Sequence, residues 1–177
     1  MIRLAPNTFL TFGRGLPRAT LADSLSATGH PVLDSGTEGD WAWVRQEAYS
    51  AGQGSGGWAV AASLTRRAVG VETAFVATTP PCACPHGQNY MVPHCPDHPF
   101  QFAYCRDGFE ELYLNLGGRR ESRRAGSLAD VVVRELLDAK IVGRDTTRYD
   151  ADPTFNADGS HTLRILAAHF GLPLDLT

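Results

Sequence analysis

The chain has almost no lysine. Of its 16 Lys and Arg residues only Lys140 is a lysine, and the other 15 are arginine. That bias suits a GC-rich coding sequence, and with it a bacterial source. A strong charge of either sign is also missing. A formal net charge of −3 over 177 residues excludes a polybasic arm or an acidic disordered tail as the dominant feature. No apolar run approaches the roughly 18–20 residues that a membrane-spanning helix requires. The opening MIRLAPNTFLTFGRG has no charged segment leading into a long apolar one. These absences predict a cytoplasmic protein, where thiol reductants disfavour structural disulfides. At 43% hydrophobic and 20% charged residues, the composition is that of a single globular domain with its own core.

What the chain does have is unevenly placed. All four cysteines and three of the six histidines fall within CACPHGQNYMVPHCPDHPFQFAYC, residues 82–105. Thiolate and neutral imidazole bind Zn²⁺ readily, and the ion takes four such ligands in a tetrahedron. The order is Cys82-x-Cys84-x-His86, then His94-Cys95-x-x-His98, then Cys105. Four of Cys82, Cys84, His86, Cys95 and His98 form the expected ligand set, with His94 and Cys105 in reserve. Prolines at 80, 81, 85, 93, 96 and 99 stiffen this stretch, as suits a loop ordered by a metal and not by a core. The expectation is a structural zinc site. Within it, CPHG and CPDHP resemble the Cys-x-His and Cys-x-x-His boxes of Rieske iron-sulfur proteins. That resemblance would make Cys84, His86, Cys95 and His98 the ligands of a [2Fe–2S] cluster, although the two boxes lie closer together here than in that family.

Around this stretch the pattern predicts regular elements. Residues 8–12 read as a strand, 16–29 as a helix stopping at Gly29, and 31–48 as a strand, a turn and a strand. Residues 54–70 read as a helix entered through glycines, and 71–79 as a strand. The order is β-α-β-β-α-β, which predicts an α+β fold: a ferredoxin-like sandwich over 1–79, with a metal-binding loop at 80–106 and a strand plus helical extension at 107–177. In that extension 109–117 reads as a strand. Residues 127–143 read as a helix capped by Ser127 with Asp130 and stopped by Gly143. The last helix is expected from Ser160 to Gly171.

A second constellation lies in VRQEAYSAGQGSGGWAVAASLTRR. Gly52, Gly54 and Gly57 satisfy G-x-G-x-x-G ahead of a helix, where free backbone N–H groups can receive a phosphate. The segment resembles the pyrophosphate-binding turn of the GCN5-related N-acetyltransferases, and YCRDGF (104–109) is similar to the Y-x-x-x-G-F box of that family. The resemblance implies acetyl-CoA as cofactor and Tyr104 as the acid that protonates the departing CoA thiolate. Tyr49 departs from the Arg or Gln that the family prefers at its position.

Two further features bear on partners. Trp41, Trp43 and Arg45 alternate along one strand face, as two core tryptophans or as a platform for stacked bases. Arg119, Arg120, Arg123 and Arg124 form a basic turn able to contact a protein or the phosphates of a nucleic acid. The functional expectation is a zinc-stabilised interaction module for such a partner, with the acyltransferase as its alternative.

Overall fold

The structure is a computed structural model that describes residues 2–5, 8–47, 56–77, 101–114, 126–156 and 159–175. It is a mixed α+β fold. The strands are β1 (Ile2–Arg3), β2 (Thr8–Arg14), β3 (Val32–Glu38), β4 (Trp41–Glu47), β5 (Glu72–Ala77), β6 (Gln101–Arg106), β7 (Phe109–Leu114) and β8 (Leu174–Asp175). The helices are α1 (Arg18–Ser26), α2 (Gly56–Thr65), α3 (Ala129–Asp138), α4 (Thr147–Ala151) and α5 (Ser160–Phe170). Six strands form one antiparallel sheet in the order β3-β4-β2-β5-β6-β7. β1 and β8 pair in parallel beside it. No described helix is long and apolar enough to cross a membrane.

The central strands have no polar face, and this decides the layering. Along β2, Leu10 and Phe12 point one way, Phe9 and Thr11 the other, and all four are buried. A sheet of that kind has to be covered twice. Leu21 and Leu25 of α1 and Leu64 of α2 pack with Ala42 and Val44 on one face. On the other face, Leu10, Phe12, Ala74, Val76, Phe102, Tyr104 and Leu112 meet Val132, Val133 and Leu136 of α3 and Leu163, Leu166 and Phe170 of α5. The spacing Leu163, Leu166, Phe170 is the helical stripe that such burial demands. The result is three layers, with the C-terminal helices closing the second face.

Local chemistry sets the ends of these elements. Pro17, at φ −62°, precedes α1 without a backbone N–H to leave unpaired. At the other end of α1, the Leu25 carbonyl accepts from the Thr28 hydroxyl at 2.7 Å and from the Gln46 amide at 3.0 Å. Asn156 accepts from the Thr162 N–H at 3.1 Å, satisfying a donor that the first turn of α5 would otherwise leave open. Gly171, at φ 66°, ends α5 in the left-handed conformation. Asp107 and Gly108, at φ 51° and 85°, make the two-residue turn between β6 and β7. Gly15 cannot be replaced cheaply. At φ +72°, any Cβ there would also lie 2.7 Å from the Gly70 carbonyl.

Several expected boundaries are corrected. Gln101–Arg106, assigned to the tail of the Cys/His loop, is strand β6, because it pairs residue by residue with β5. The helix expected at 127–143 runs only from Ala129 to Asp138. Ser127 does not cap it: its hydroxyl is engaged by Glu111, and Leu128 occupies the N-cap. Lys140 turns the chain at φ 56°, three residues before Gly143. Between α3 and α5 lies the short helix α4, anchored by the Tyr149 hydroxyl on the Ile141 carbonyl at 2.7 Å.

Because the second helical layer closes a fully apolar sheet face, truncating it should be costly. Leu166→Ala is expected to destabilise the fold by roughly 2–5 kcal/mol in urea unfolding. Val69→Ala, at a position 97% exposed, should change stability by less than about 0.5 kcal/mol.

Candidate functional site

The residues with chemistry to offer divide between a charged row at one end of the sheet and the strand ends at the other. The row follows from the register. Trp41 lies opposite Arg14, Arg14 opposite Glu72, and Glu72 opposite Arg106. All four project toward the face covered by α3 and α5, since they continue the alternation of Phe12, Ala74 and Tyr104. Arg14 forms an ion pair with Glu72. The Arg14 guanidinium also lies over the Trp41 ring, 4.7 Å from its centroid. The Glu72 carboxylate accepts in addition from the Tyr104 hydroxyl at 2.7 Å, and Arg106 is turned outward to Glu111 at 3.8 Å.

Tyr104 is held here as a structural phenol. It is 3% exposed, and its ring stacks on Phe170 with centroids 4.1 Å apart. Burial first, and then the Glu72 hydrogen bond and charge, push its hydroxyl well above the ordinary tyrosine value. The proton is therefore shared with a carboxylate inside the protein.

Gly57 lies in the first turn of α2, while Gly52 and Gly54 lie outside the described residues. α2 packs on the face opposite Tyr104. The Thr73 hydroxyl, on that face, donates to the Ala61 carbonyl of α2 at 3.2 Å. α2, in whose first turn Gly57 lies, and the Tyr104 side chain are thus on opposite faces of one sheet.

The zinc expectation is corrected. Among the described residues no group of three or more His, Cys, Asp or Glu side chains is placed to hold a metal ion. Cys105, the reserve ligand, is a free and buried cysteine on β6. Burial, with the Glu110 charge adding to it, pushes its thiol up to about 11, so it sits in the core as a protonated thiol. Cys82, Cys84, His86, His94, Cys95 and His98 lie outside the described residues, as do Arg119, Arg120, Arg123 and Arg124.

The tryptophans prove to be packing groups. Trp41 is 3% exposed and meets Phe12 edge-on at 6.2 Å. Trp43 lies against Gly36 of β3, where a Cβ would come within 2.7 Å of its ring. Arg45 is paired with Asp34 at 3.2 Å and donates to the Arg3 carbonyl at 2.9 Å.

At the opposite end the strand termini form their own row. Phe9 lies opposite both Gln46 and Ala77, Ala77 opposite Gln101, and Phe102 opposite Leu114. β4, β5 and β7 finish here and β6 begins here. Sequence reasoning did not find Arg14, Glu72 or this row, because each depends on sheet order. The only local signal was a charged residue closing or opening an otherwise apolar strand.

Tyr104→Phe should lower stability by about 1 kcal/mol, the scale of one hydrogen bond. Arg14→Met should cost more, roughly 1–3 kcal/mol, because the mostly buried Glu72 carboxylate loses its cation. The alkaline limb offers a further check. The Cys105 proton leaves the unfolded chain near 9.0 and the folded one near 11. Stability should therefore hold up to about pH 9 and fall as pH rises through 11. From this group alone the slope should reach at most about 1.4 kcal/mol per pH unit, and the raised Tyr104 hydroxyl adds to it in the same sense at higher pH. Cys105→Ala should reduce the loss between about pH 9 and 11 in urea unfolding measured at each pH. No protein-family model, curated protein or solved structure matches the chain.

Proposed function

We propose that the chain is a binding module for a macromolecular partner, engaged at the end of the sheet where Glu47, Ala77, Gln101 and Leu114 lie. The observation that carries this reading is the register that brings those four residues into one row. In the sequence, residues 48–55 follow Glu47, residues 78–100 connect Ala77 to Gln101, and residues 115–125 follow Leu114. These are the segments that contain Gly52 and Gly54, the Cys/His stretch and the four clustered arginines.

The order β3-β4-β2-β5, with α1 and α2 together on one face, supports reading residues 1–79 as a ferredoxin-like βαββαβ core. β6 and β7 extend that sheet, and α3 and α5 cover the face that such a sandwich leaves open. With both faces filled, a partner is left the edges and ends. The alternative, an acyl-CoA-dependent transferase, needs Tyr104 and the glycine turn to meet one cofactor. Tyr104 is buried against Phe170 on the face away from α2, which favours binding over acyl transfer.

Arg119, Arg120, Arg123 and Arg124 make nucleic acid the partner that the chemistry fits best, since guanidinium groups pair with phosphate in a fork geometry. The test is fluorescence-anisotropy titration with a labelled duplex at 50 and 200 mM salt. If four arginines each contact a phosphate, affinity should fall roughly a hundredfold between those concentrations. The variant with all four changed to Ala should lose most of that dependence. Absence of binding at low salt, or binding insensitive to salt and to the four substitutions, would overturn the nucleic-acid reading in favour of a protein partner.

A further inference from the structure

We propose that Thr11 and Gln46 hold an internal water molecule between the sheet and α1, a site independent of the binding function above. Both side chains are 0% exposed. Gln46 has its amide orientation fixed by three acceptors: Nε2 donates to the Leu25 carbonyl at 3.0 Å, the Thr28 hydroxyl at 3.2 Å and the His30 carbonyl at 3.1 Å. Only an NH₂ group can face three acceptors, so Oε1 points the other way. Among the described residues no protein group donates to Gln46 Oε1 or pairs with Thr11 Oγ1.

The register puts these two orphan atoms on one face of the sheet. Phe9 lies opposite Gln46 and Thr11 opposite Val44, so Thr11 and Gln46 are diagonal neighbours across β2 and β4. Diagonal partners stand about 7–8 Å apart at the backbone, within reach of a glutamine side chain and one bridging molecule. Phe9, on the same face, packs on Phe75 at 5.3 Å and edge-on to His30 at 5.1 Å, which keeps bulk solvent from the site. A buried amide oxygen and a buried hydroxyl left unsatisfied in such a setting are both costly. One water molecule resolves both, donating one proton to Gln46 Oε1 and exchanging a hydrogen bond with Thr11 Oγ1. Buried waters typically take two to four such partners.

Thr11→Val tests the site by the sign of its effect, since valine keeps the shape and β-branching and removes only the hydroxyl. If the hydroxyl holds water, the melting temperature should fall by roughly 2–4 °C, as expected for a lost hydrogen bond in a chain of this size. If the hydroxyl has no partner, its removal should leave the melting temperature unchanged or raise it, and the proposal is overturned. Magnetic relaxation dispersion of solvent ¹⁷O supplies a readout independent of stability. The wild type and Thr11→Ser should each show one more long-lived internal water than Thr11→Val. Equal counts in all three would also overturn it.

Discussion

The contact on which the rest depends is the seating of α3 and α5 on the sheet. Phe170 stacks on Tyr104 at 4.1 Å and lies 5.6 Å from Phe102, so one helix residue closes over two neighbouring positions of β6. Leu163, Leu166 and the α3 residues Val132, Val133 and Leu136 complete the same layer. Each fully buried side chain of this size contributes roughly 1.5–3 kcal/mol, so the layer supplies a large part of the folding free energy. Its functional consequence is exclusion. Among the described residues the central strands carry a helical layer on each face, which is why the partner site is proposed at an end of the sheet.

That exclusion changes the meaning of groups that look reactive. Tyr104 stands in a sequence pattern that elsewhere marks a general acid. In this fold its hydroxyl is the third member of a row in which Glu72 accepts from both Arg14 and Tyr104. Such a row keeps a carboxylate in a mostly buried position by surrounding it with donors. Cys105, one residue further along β6, points to the opposite face and serves as a small core group. β6 thus carries buried polar side chains on both faces.

Much of the fold was legible because it is written locally. The strand expected at 8–12, the strand, turn and strand at 31–48 and the strand at 71–79 overlie β2, β3 with β4, and β5, and α5 ends as expected at Gly171, with φ 66°. β6 was hidden because QFAYCR follows a stretch crowded with prolines, cysteines and histidines, and its assignment needs β5 as partner. The start of α3 misled for a related reason. Ser127 has the side chain of a cap, but its hydroxyl is engaged by Glu111, sixteen positions away in the chain. The charged row was illegible in principle. Arg14 and Glu72 are 58 positions apart, and only the strand order makes them neighbours. The expected zinc ligands fall outside the described residues, and the one reserve ligand within them, Cys105, is a sheet residue turned into the core.

Two ends of one sheet are thereby set apart. One is tied down by the Gly70 N–H bonded to Asp107 at 3.1 Å and the Gly108 N–H bonded to the Thr65 hydroxyl at 3.1 Å. The other gathers Glu47, Ala77, Gln101 and Leu114, and is the end proposed to meet a partner. Backbone amide shifts followed by NMR during addition of an unlabelled duplex at low salt would distinguish them directly. Shifts concentrated at Glu47, Ala77, Gln101 and Leu114, with Gly70, Asp107 and Gly108 unmoved, are the predicted result. Shifts centred on Gly70, Asp107 and Gly108 would contradict it.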